Sequence, residues 1–471
     1  MNTVVYSTFN HIQGKIGSRW AQLVRETGSE NILLVAIDAA KYTPKAIIAT
    51  FFGDILVKPF DIDSSTSGFN KLKKLVESIK EKNGLSQVVV GIETTGHYYE
   101  HLVFKCHLEG YHVRTVNAAT TAKEREALLN WSKTDNLDLM AIIQSVIHGR
   151  GTSNELPSGN IVQLRKLTRA RRELVAERTK TKNLVLMHMD HIFREYQGKT
   201  VWVNGKRGFS KPFSDVFGKA SRYLMRNHPH PEDILVLGKK GLRELSIREN
   251  LKIREETINI LIDFAEGSIS LSKEQVDADI YLLIQKLDRL EFLDNQIKAL
   301  EAKIEDLFVV MEGAVILSVQ GIGLVTGAEL IAEMGDISDF DQAGQLIKLA
   351  GTNPIVKQSG GHRPAYYGVS KQGRRPFRNI VYQVGKSLAV NNPEMHQRYL
   401  RLKERGKHPR EAYIALGNRM IRLAFSMIRN QTFYQTKDEH YVLLEEINKK
   451  IRKSNVQKFF ETHVSPTVCA S

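Results

Sequence analysis

The sequence predicts an α/β domain near its amino-terminal end followed by a mainly helical remainder. Three observations carry that prediction. Between Asn31 and Gly149, short runs rich in Val, Ile and Leu alternate with segments of helical period. Beyond Asn160, two long stretches free of Gly and Pro keep helical period, as long helices do. Four acids, Asp38, Glu93, Asp135 and Asp138, fall at the ends of two predicted strands and on one face of a predicted helix.

The elements follow in order. NILLVAIDAA, AIIATFFG and ILVKPFDI read as three consecutive strands, the last two joined at a Gly53–Asp54 turn. GFNKLKKLVESIKEKNG then takes a helical period and stops at Gly84. SQVVVGIETTG is the next strand, HYYEHLVFKCHLEG the next helix and YHVRTVN the next strand. This order matches a ribonuclease H-like domain, a mixed sheet flanked by helices. It assigns residues 1–30 to an amino-terminal extension and 31–150 to the α/β domain.

Residues 160–310 form a helical linker. Its first helix, about Asn160 to Phe193, carries Arg165, Lys166, Arg169, Arg171, Arg172, Arg178, Lys180 and Lys182. Such a run is either a solvated helix face or a set of phosphate contacts, and its density favours phosphate. Residues 195–245, basic and rich in Gly, Pro and aromatic residues, show no clear period and read as a basic insertion. The second helix, about Lys273 to Phe308, spaces Leu290, Leu293, Ile297, Leu300, Ile304 and Leu307 by three and four. That pattern fits an intramolecular hairpin with the basic helix or a dimer seam.

Residues 311–430 form a third region. Gly321 and Gly323 lie between two apolar segments, where a tight turn serves either helix packing or presentation of backbone N–H groups to a phosphate, as in helix-hairpin-helix modules. A dinucleotide fingerprint is disfavoured, because Gly327 comes one residue late for G-x-G-x-x-G. Further on, Ser359 stands in Ser-Gly-Gly among Lys357, Arg363, Lys371, Arg374, Arg375 and Arg378. A serine there is usually a turn residue, and among so many cations it becomes a candidate nucleophile. The tail, 431–471, reads as a basic helix and a frayed end with no assigned function.

Composition narrows the classes of function. The 471 residues carry 67 Lys and Arg against 52 Asp and Glu, a net charge of +15 that favours a polyanionic partner. The two cysteines, Cys106 and Cys469, sit in no metal-binding spacing and cannot build a disulfide framework, which fits a reducing cytoplasm. The chain shows no secretory leader and no apolar run of membrane-spanning length, so it is expected to be cytoplasmic, with no membrane partner. Clustered carboxylates from separate strands and a helix make an oxygen-rich pocket suited to Mg2+. Phosphoryl transfer on nucleic acid is the expected chemistry.

The spaced acids, the Lys-Thr-Asp-x-x-Asp run from Lys133 to Asp138, the Gly321–Gly323 turn and Ser-Gly-Gly followed by Ser-Lys-x-Gly-x-x-x-x-Arg resemble the DEDD transposases of the insertion-sequence-110 group, including the Piv-type recombinases. The resemblance spans about Leu33 to Asn430. It implies a RuvC-like domain, a coiled-coil linker and a carboxyl-terminal transposase domain. It further implies Asp38, Glu93, Asp135 and Asp138 as ligands of two Mg2+ ions, with Ser359 as nucleophile. Donor and target DNA, a structured bridge RNA and a homodimer or homotetramer are the implied partners. Arg165, Lys166, Arg169, Arg172, Gly321, Gly323, Arg363, Lys371, Arg374, Arg375 and Arg378 are the residues expected to hold nucleic acid.

Three departures accompany it: a longer segment between the two long helices, read as an RNA-binding insertion, Leu139 after Asp138 in place of alanine, and Gln358 before Ser359 in place of a second serine. A metal-dependent junction nuclease, a DNA invertase without an RNA guide, and a non-catalytic nucleic-acid-binding protein are the competing readings. An actin-like ATPase lacks its second phosphate loop here.

Overall fold

The computed structural model describes residues 20–94, 96–127, 135–151, 159–203, 206–357 and 365–434. Strands β1 (Ile32–Asp38), β2 (Lys45–Thr50) and β3 (Ile55–Asp61) form an antiparallel meander. Strand β4 (Gln87–Glu93) runs parallel to β1, and β5 (His112–Val116) parallel to β4, giving the order β3-β2-β1-β4-β5. The parallel pairs need crossovers, which α1 (Thr66–Lys82) and α2 (Tyr99–Leu108) supply. Ser65 caps α1 by accepting from the Gly68 N–H.

Continuous apolar runs make β1 and β4 the centre of the sheet, and the alternation of strand side chains divides them between two cores. Leu33, Val35 and Ile37 join Phe69, Leu72, Val76, Val103 and Cys106 on one face. Ile32, Leu34 and Ala36 meet Leu139, Ile142, Ile143 and Val146 on the other. Those last four belong to α4 (Asp135–Ile147), which follows α3 (Ala118–Ala127). Residues 20–27 are helical, and Trp20 packs into this second core.

The two long helices are α5 (Asn160–Ile192) and α9 (Asp277–Phe308). Their side-chain pairs run antiparallel: Arg171 with Glu301, Arg178 with Asp294, Arg289 with Glu177, and His188 with Asp279. The helices therefore form an intramolecular hairpin, the first of the two arrangements their spacing allowed. Leu290, Leu293, Ile297 and Ile304 are buried as expected, whereas Leu300 and Leu307 are only partly covered. Several arginines of the basic helix thus face carboxylates of this hairpin.

Between them the segment without clear period folds as a hairpin, β6 (Lys199–Val203) and β7 (Lys206–Ser210), then α6 (Lys219–Asn227), α7 (Pro231–Arg248) and α8 (Glu255–Glu266). Tyr196, Leu224, Ile234, Leu242 and Phe264 form a core with Met189, Ile192, Leu283 and Leu287 of the long helices. The helical period was hidden because α6 has only 9 residues and α7 breaks at Gly238, where φ is 56°.

The last region comprises α10 (Leu324–Met334), α11 (Ala343–Ala350), the pair β8 (Pro354–Lys357) and β9 (Ala365–Val369), then α12 (Arg375–Asn391), α13 (Pro393–Glu404) and α14 (Pro409–Asn430). The last three each place Pro in the first turn, where its missing N–H costs no hydrogen bond. Helices α12 and α14 cross where Gly385 and Gly417 let the backbones touch.

Two compact units emerge. Among the described residues, one combines those up to Gln163 with Val315–Ile322 and those from Leu330 on; the other holds Leu164–Ala314 and Gly323–Glu329. No described helix is long and apolar enough to cross a membrane.

Candidate active site

Asp38 ends β1 and Glu93 ends β4. The residues before them, Ile37 and Ile92, are register partners in adjacent parallel strands, so the two carboxylates leave the sheet side by side at its carboxyl edge. Ligand sites of open α/β sheets collect at that edge, because the loops diverge there. Across the antiparallel neighbour, Asp38 pairs in register with Lys45.

Helix α4 brings the other two acids. It lies against β4 at Gly91, where an added Cβ would stand 2.7 Å from Val146 Cγ2 and 2.9 Å from Ile142 Cγ2. A bare backbone at this point seats the helix close to the strand that carries Glu93. Asp135 and Asp138 occupy its first turn, where the helix dipole favours negative charge. Three residues apart, they share a face, yet Asp138 is buried and Asp135 is exposed.

Helix α3 packs on α4 and supplies two further contacts. Thr121 Oγ1 donates to Glu93 Oε2 at 2.6 Å, and Arg125 Nη1 lies 2.6 Å from Asp138 Oδ1. Lys45 Nζ is 2.9 Å from Asp135 Oδ2. The hydrogen bond and charge of Asp135, with smaller contributions from Asp61 and Asp38, raise the Lys45 pKa above its ordinary value. Sequence reasoning missed Lys45, Thr121 and Arg125. The segment AATTAKEREA has no apolar stripe to mark it as a helix, and nothing in its spacing points at acids elsewhere in the chain.

Buried Arg114 fixes the far end of α4. Its Nη2 donates to the carbonyls of Gly149 at 2.8 Å and Gly151 at 2.9 Å, and its guanidinium lies 4.6 Å from the Trp20 ring. Burial lowers its pKa to about 10. Buried Glu124 accepts from Arg150 and lies 3.3 Å from His148 Nδ1, tying α3 to the same loop.

An all-oxygen donor set of four carboxylates suits a hard divalent cation. Among the described residues, no three acids, histidines or cysteines stand close enough to hold one ion. Lys45 and Arg125 instead neutralise Asp135 and Asp138. The residues fit a divalent cation by donor type, while in this structure Asp135 and Asp138 are paired with these two side chains.

The remaining predicted residues lie elsewhere. Gly321 adopts φ 94°, its carbonyl accepts from Ser387 Oγ at 2.7 Å, and Asn392 Nδ2 donates to the Gln320 carbonyl at 3.1 Å. The turn there is packed against α12. Gly323 is exposed with open space where a Cβ would be. Lys371, Arg374 and Arg375 are exposed before and at the start of α12, with Arg378 one turn on, donating to the Lys371 carbonyl at 3.0 Å.

On the basic helix, Lys166 and Arg169 are exposed, Arg165 is half-buried, and Arg172 pairs with Glu329. Ser359 and Arg363 lie outside the described residues, in the connection between Lys357 and Ala365. Ser370, the next serine along, donates to Asn353 Oδ1 at 2.7 Å.

A mixed five-stranded sheet with Asp38 and Glu93 at the ends of two neighbouring strands, and a mainly helical, cation-bearing carboxyl-terminal region, suit an α/β enzyme that handles nucleic acid. Comparison with known proteins makes the class particular. Residues 35–194 match the DEDD transposase model of the IS110 group, and residues 313–400 match the transposase IS116/IS110/IS902 family. Together these cover more than half of the chain, and it belongs to this transposase family.

It is 22% identical over 402 residues to the IS116 44.8 kDa protein of Streptomyces clavuligerus, covering 85% of this chain and 95% of that one. It is 27% identical over 331 residues to the IS900 42 kDa protein of Mycobacterium paratuberculosis, covering 68% and 76%. With the IS110 43.6 kDa protein of Streptomyces coelicolor it shares 25% identity over 222 residues, 46% of this chain and 54% of that relative.

Proposed function

We propose that this chain is the strand-exchange enzyme of an insertion sequence, built on a ribonuclease H-like (RuvC-like) domain and acting by serine transesterification under the guidance of a structured bridge RNA. The observation that carries the reading is the adjacency of Asp38 and Glu93 at the ends of neighbouring parallel strands, with α4, the helix of Asp135 and Asp138, packed against the second of them at Gly91. Family membership supports DNA as the substrate.

In this reading Ser359 Oγ bonds to the scissile phosphorus as a phosphorus–deoxyribose oxygen bond breaks, and the serine proton passes to the leaving oxygen. A second DNA hydroxyl later reverses the step with the opposite proton transfer. The number of phosphodiester bonds is unchanged, so no external energy source is needed. Asp38, Glu93, Asp135 and Asp138 would hold two Mg2+ ions, which would supply charge neutralisation at the phosphate. Thr121 orients Glu93, while Lys371, Arg374, Arg375 and Arg378 hold flanking phosphates, which fixes register without reading sequence. The acids and the serine come together in a homodimer or homotetramer bound to donor DNA, target DNA and RNA.

The test is a denaturing gel of labelled junction DNA with the protein, Mg2+ and RNA transcribed from the sequence beside the gene. Wild type should give a slow, protease-sensitive band; Ser359→Ala should lose it, and Asp38→Ala and Glu93→Ala should lose all cleavage while still binding DNA. Free cleaved ends in both wild type and Ser359→Ala would make the protein a metal nuclease, and activity that does not depend on added RNA would remove the guide.

A further inference from the structure

The β6–β7 hairpin lies between the two family matches, which end at residue 194 and resume at 313. In its register Thr200 opposes Phe209 and Trp202 opposes Arg207. Directly opposed residues share a face, and so do residues two apart, so these four side chains point the same way. All four are exposed, Trp202 by 71% and Phe209 by 66%. Large rings are normally the first side chains a fold covers. Nearby Tyr196 and Phe264 are buried in the core, whereas this pair is turned to solvent.

The hairpin is firmly rooted. Lys199 Nζ is 3.1 Å from Asp263 Oδ2 and 4.4 Å from the Phe264 ring centre, and Ser268 Oγ donates to Glu195 Oε2 at 2.6 Å. Gly198 takes φ 129°, and a Cβ there would stand 2.7 Å from the Phe209 ring, so that ring is seated on bare backbone. From Lys199 to Lys211 the sequence holds Lys199, Lys206, Arg207 and Lys211 and no acid. Aromatic rings beside cations without carboxylates complement nucleobases on a phosphate backbone, because any base stacks on a ring while the cations meet its phosphates. An apolar protein partner would call for aliphatic neighbours, which this face lacks.

We propose that the Thr200, Trp202, Arg207 and Phe209 face stacks the unpaired bases of single-stranded DNA, with Arg207 and Lys211 at the phosphates. The proposal rests on the reading of the chain as a DNA strand-exchange enzyme, since exchanging strands unpairs bases that must be held apart.

The experiment measures anisotropy of a labelled oligothymidylate of about 15 nucleotides, long enough for one such groove, on the full-length protein. Trp202→Ala/Phe209→Ala should bind it about 10- to 100-fold more weakly, whereas Trp202→Phe, which keeps a ring, should stay close to wild type. Duplex DNA binding should be unchanged in all variants. Unaltered oligothymidylate affinity in the double variant overturns the proposal. So does wild-type binding of oligouridylate much tighter than of oligothymidylate and lost in the double variant, which would make the face an RNA site. A change of sedimenting mass at unaltered oligonucleotide affinity overturns it too, in favour of a protein contact. If wild type binds neither duplex nor oligonucleotide, the DNA-handling reading itself fails; duplex binding without oligonucleotide binding removes only the hairpin assignment.

Discussion

Arg125 Nη1 approaches Asp138 Oδ1 to 2.6 Å, and both side chains are largely buried, 17% and 11% exposed. A cation from one helix therefore stands against an acid of the next. Arg125→Gln should leave a buried carboxylate without that cation and cost about 3 kcal/mol in metal-free buffer. Added Mg2+ should restore more of the melting temperature in the variant than it adds to wild type. Equal responses in a calorimetric titration would separate Asp138 from the metal site.

The hydrogen bond from Thr121 to Glu93 predicts a second outcome. Partners that orient metal-binding carboxylates typically change affinity or activity about 10- to 100-fold when removed. Thr121→Val should slow cleavage by that order with little loss of stability, and Thr121→Ser should recover most of it. Identical cleavage by the valine variant would show that Glu93 needs no such orientation.

Close helix approaches set a third expectation. A Cβ on Gly385 would lie 1.9 Å from the Tyr413 carbonyl oxygen, and one on Gly91 would press on Val146 and Ile142. Gly91→Ala should cost about 1–3 kcal/mol by overpacking. Gly385→Ala should cost more, since it meets backbone and not a side-chain end. Gly344, exposed in α11 with nothing within 4 Å, is the control. Gly344→Ala should be neutral or stabilise by about 0.5 kcal/mol, as the lost chain entropy of glycine is not matched by a clash. Thermal melts of the three variants would rank them.

Acid titration of the long helical hairpin gives a fourth. The hydrogen bond from His188, then that from His191, holds the Asp279 pKa below its ordinary value. Burial pushes Asp294 up, but the hydrogen bonds and charges of Arg222 and Arg178 outweigh it and the net shift is downward. Both folded-state values lie below the unfolded one of about 3.9. Their stabilisation is therefore fully present above that pH and is lost as pH falls through the folded values. Denaturant midpoints should drop below about pH 4 in wild type and fall less steeply in Asp294→Asn.

Much of the architecture was legible in the sequence. The five strands of the sheet stood out as short apolar runs with turn residues between them, and β1 and β4 gave the longest of these because both of their faces are covered. The two long helices were marked by sustained period without Gly or Pro, and their observed bounds differ from the expected ones by a few residues. The hairpin and helices between residues 199 and 266 were not legible, since the strands and α6 are short, α7 breaks at Gly238, and their shared core is contributed by residues far apart in the chain.

The sequence by itself determined the strands of the sheet, the place of Asp38 and Glu93 at the ends of two of them and the basic balance of the chain, because alternation, run length and charge are local or additive properties. Only the tertiary structure decided that α5 and α9 pair within one chain, that Thr121, Arg125 and Lys45 stand against three of the acids, and that Trp202 and Phe209 share an exposed face. Each of these depends on which residues meet across long chain separations. Helix docking at a bare glycine such as Gly91, and strand register, settle that question; composition and spacing do not.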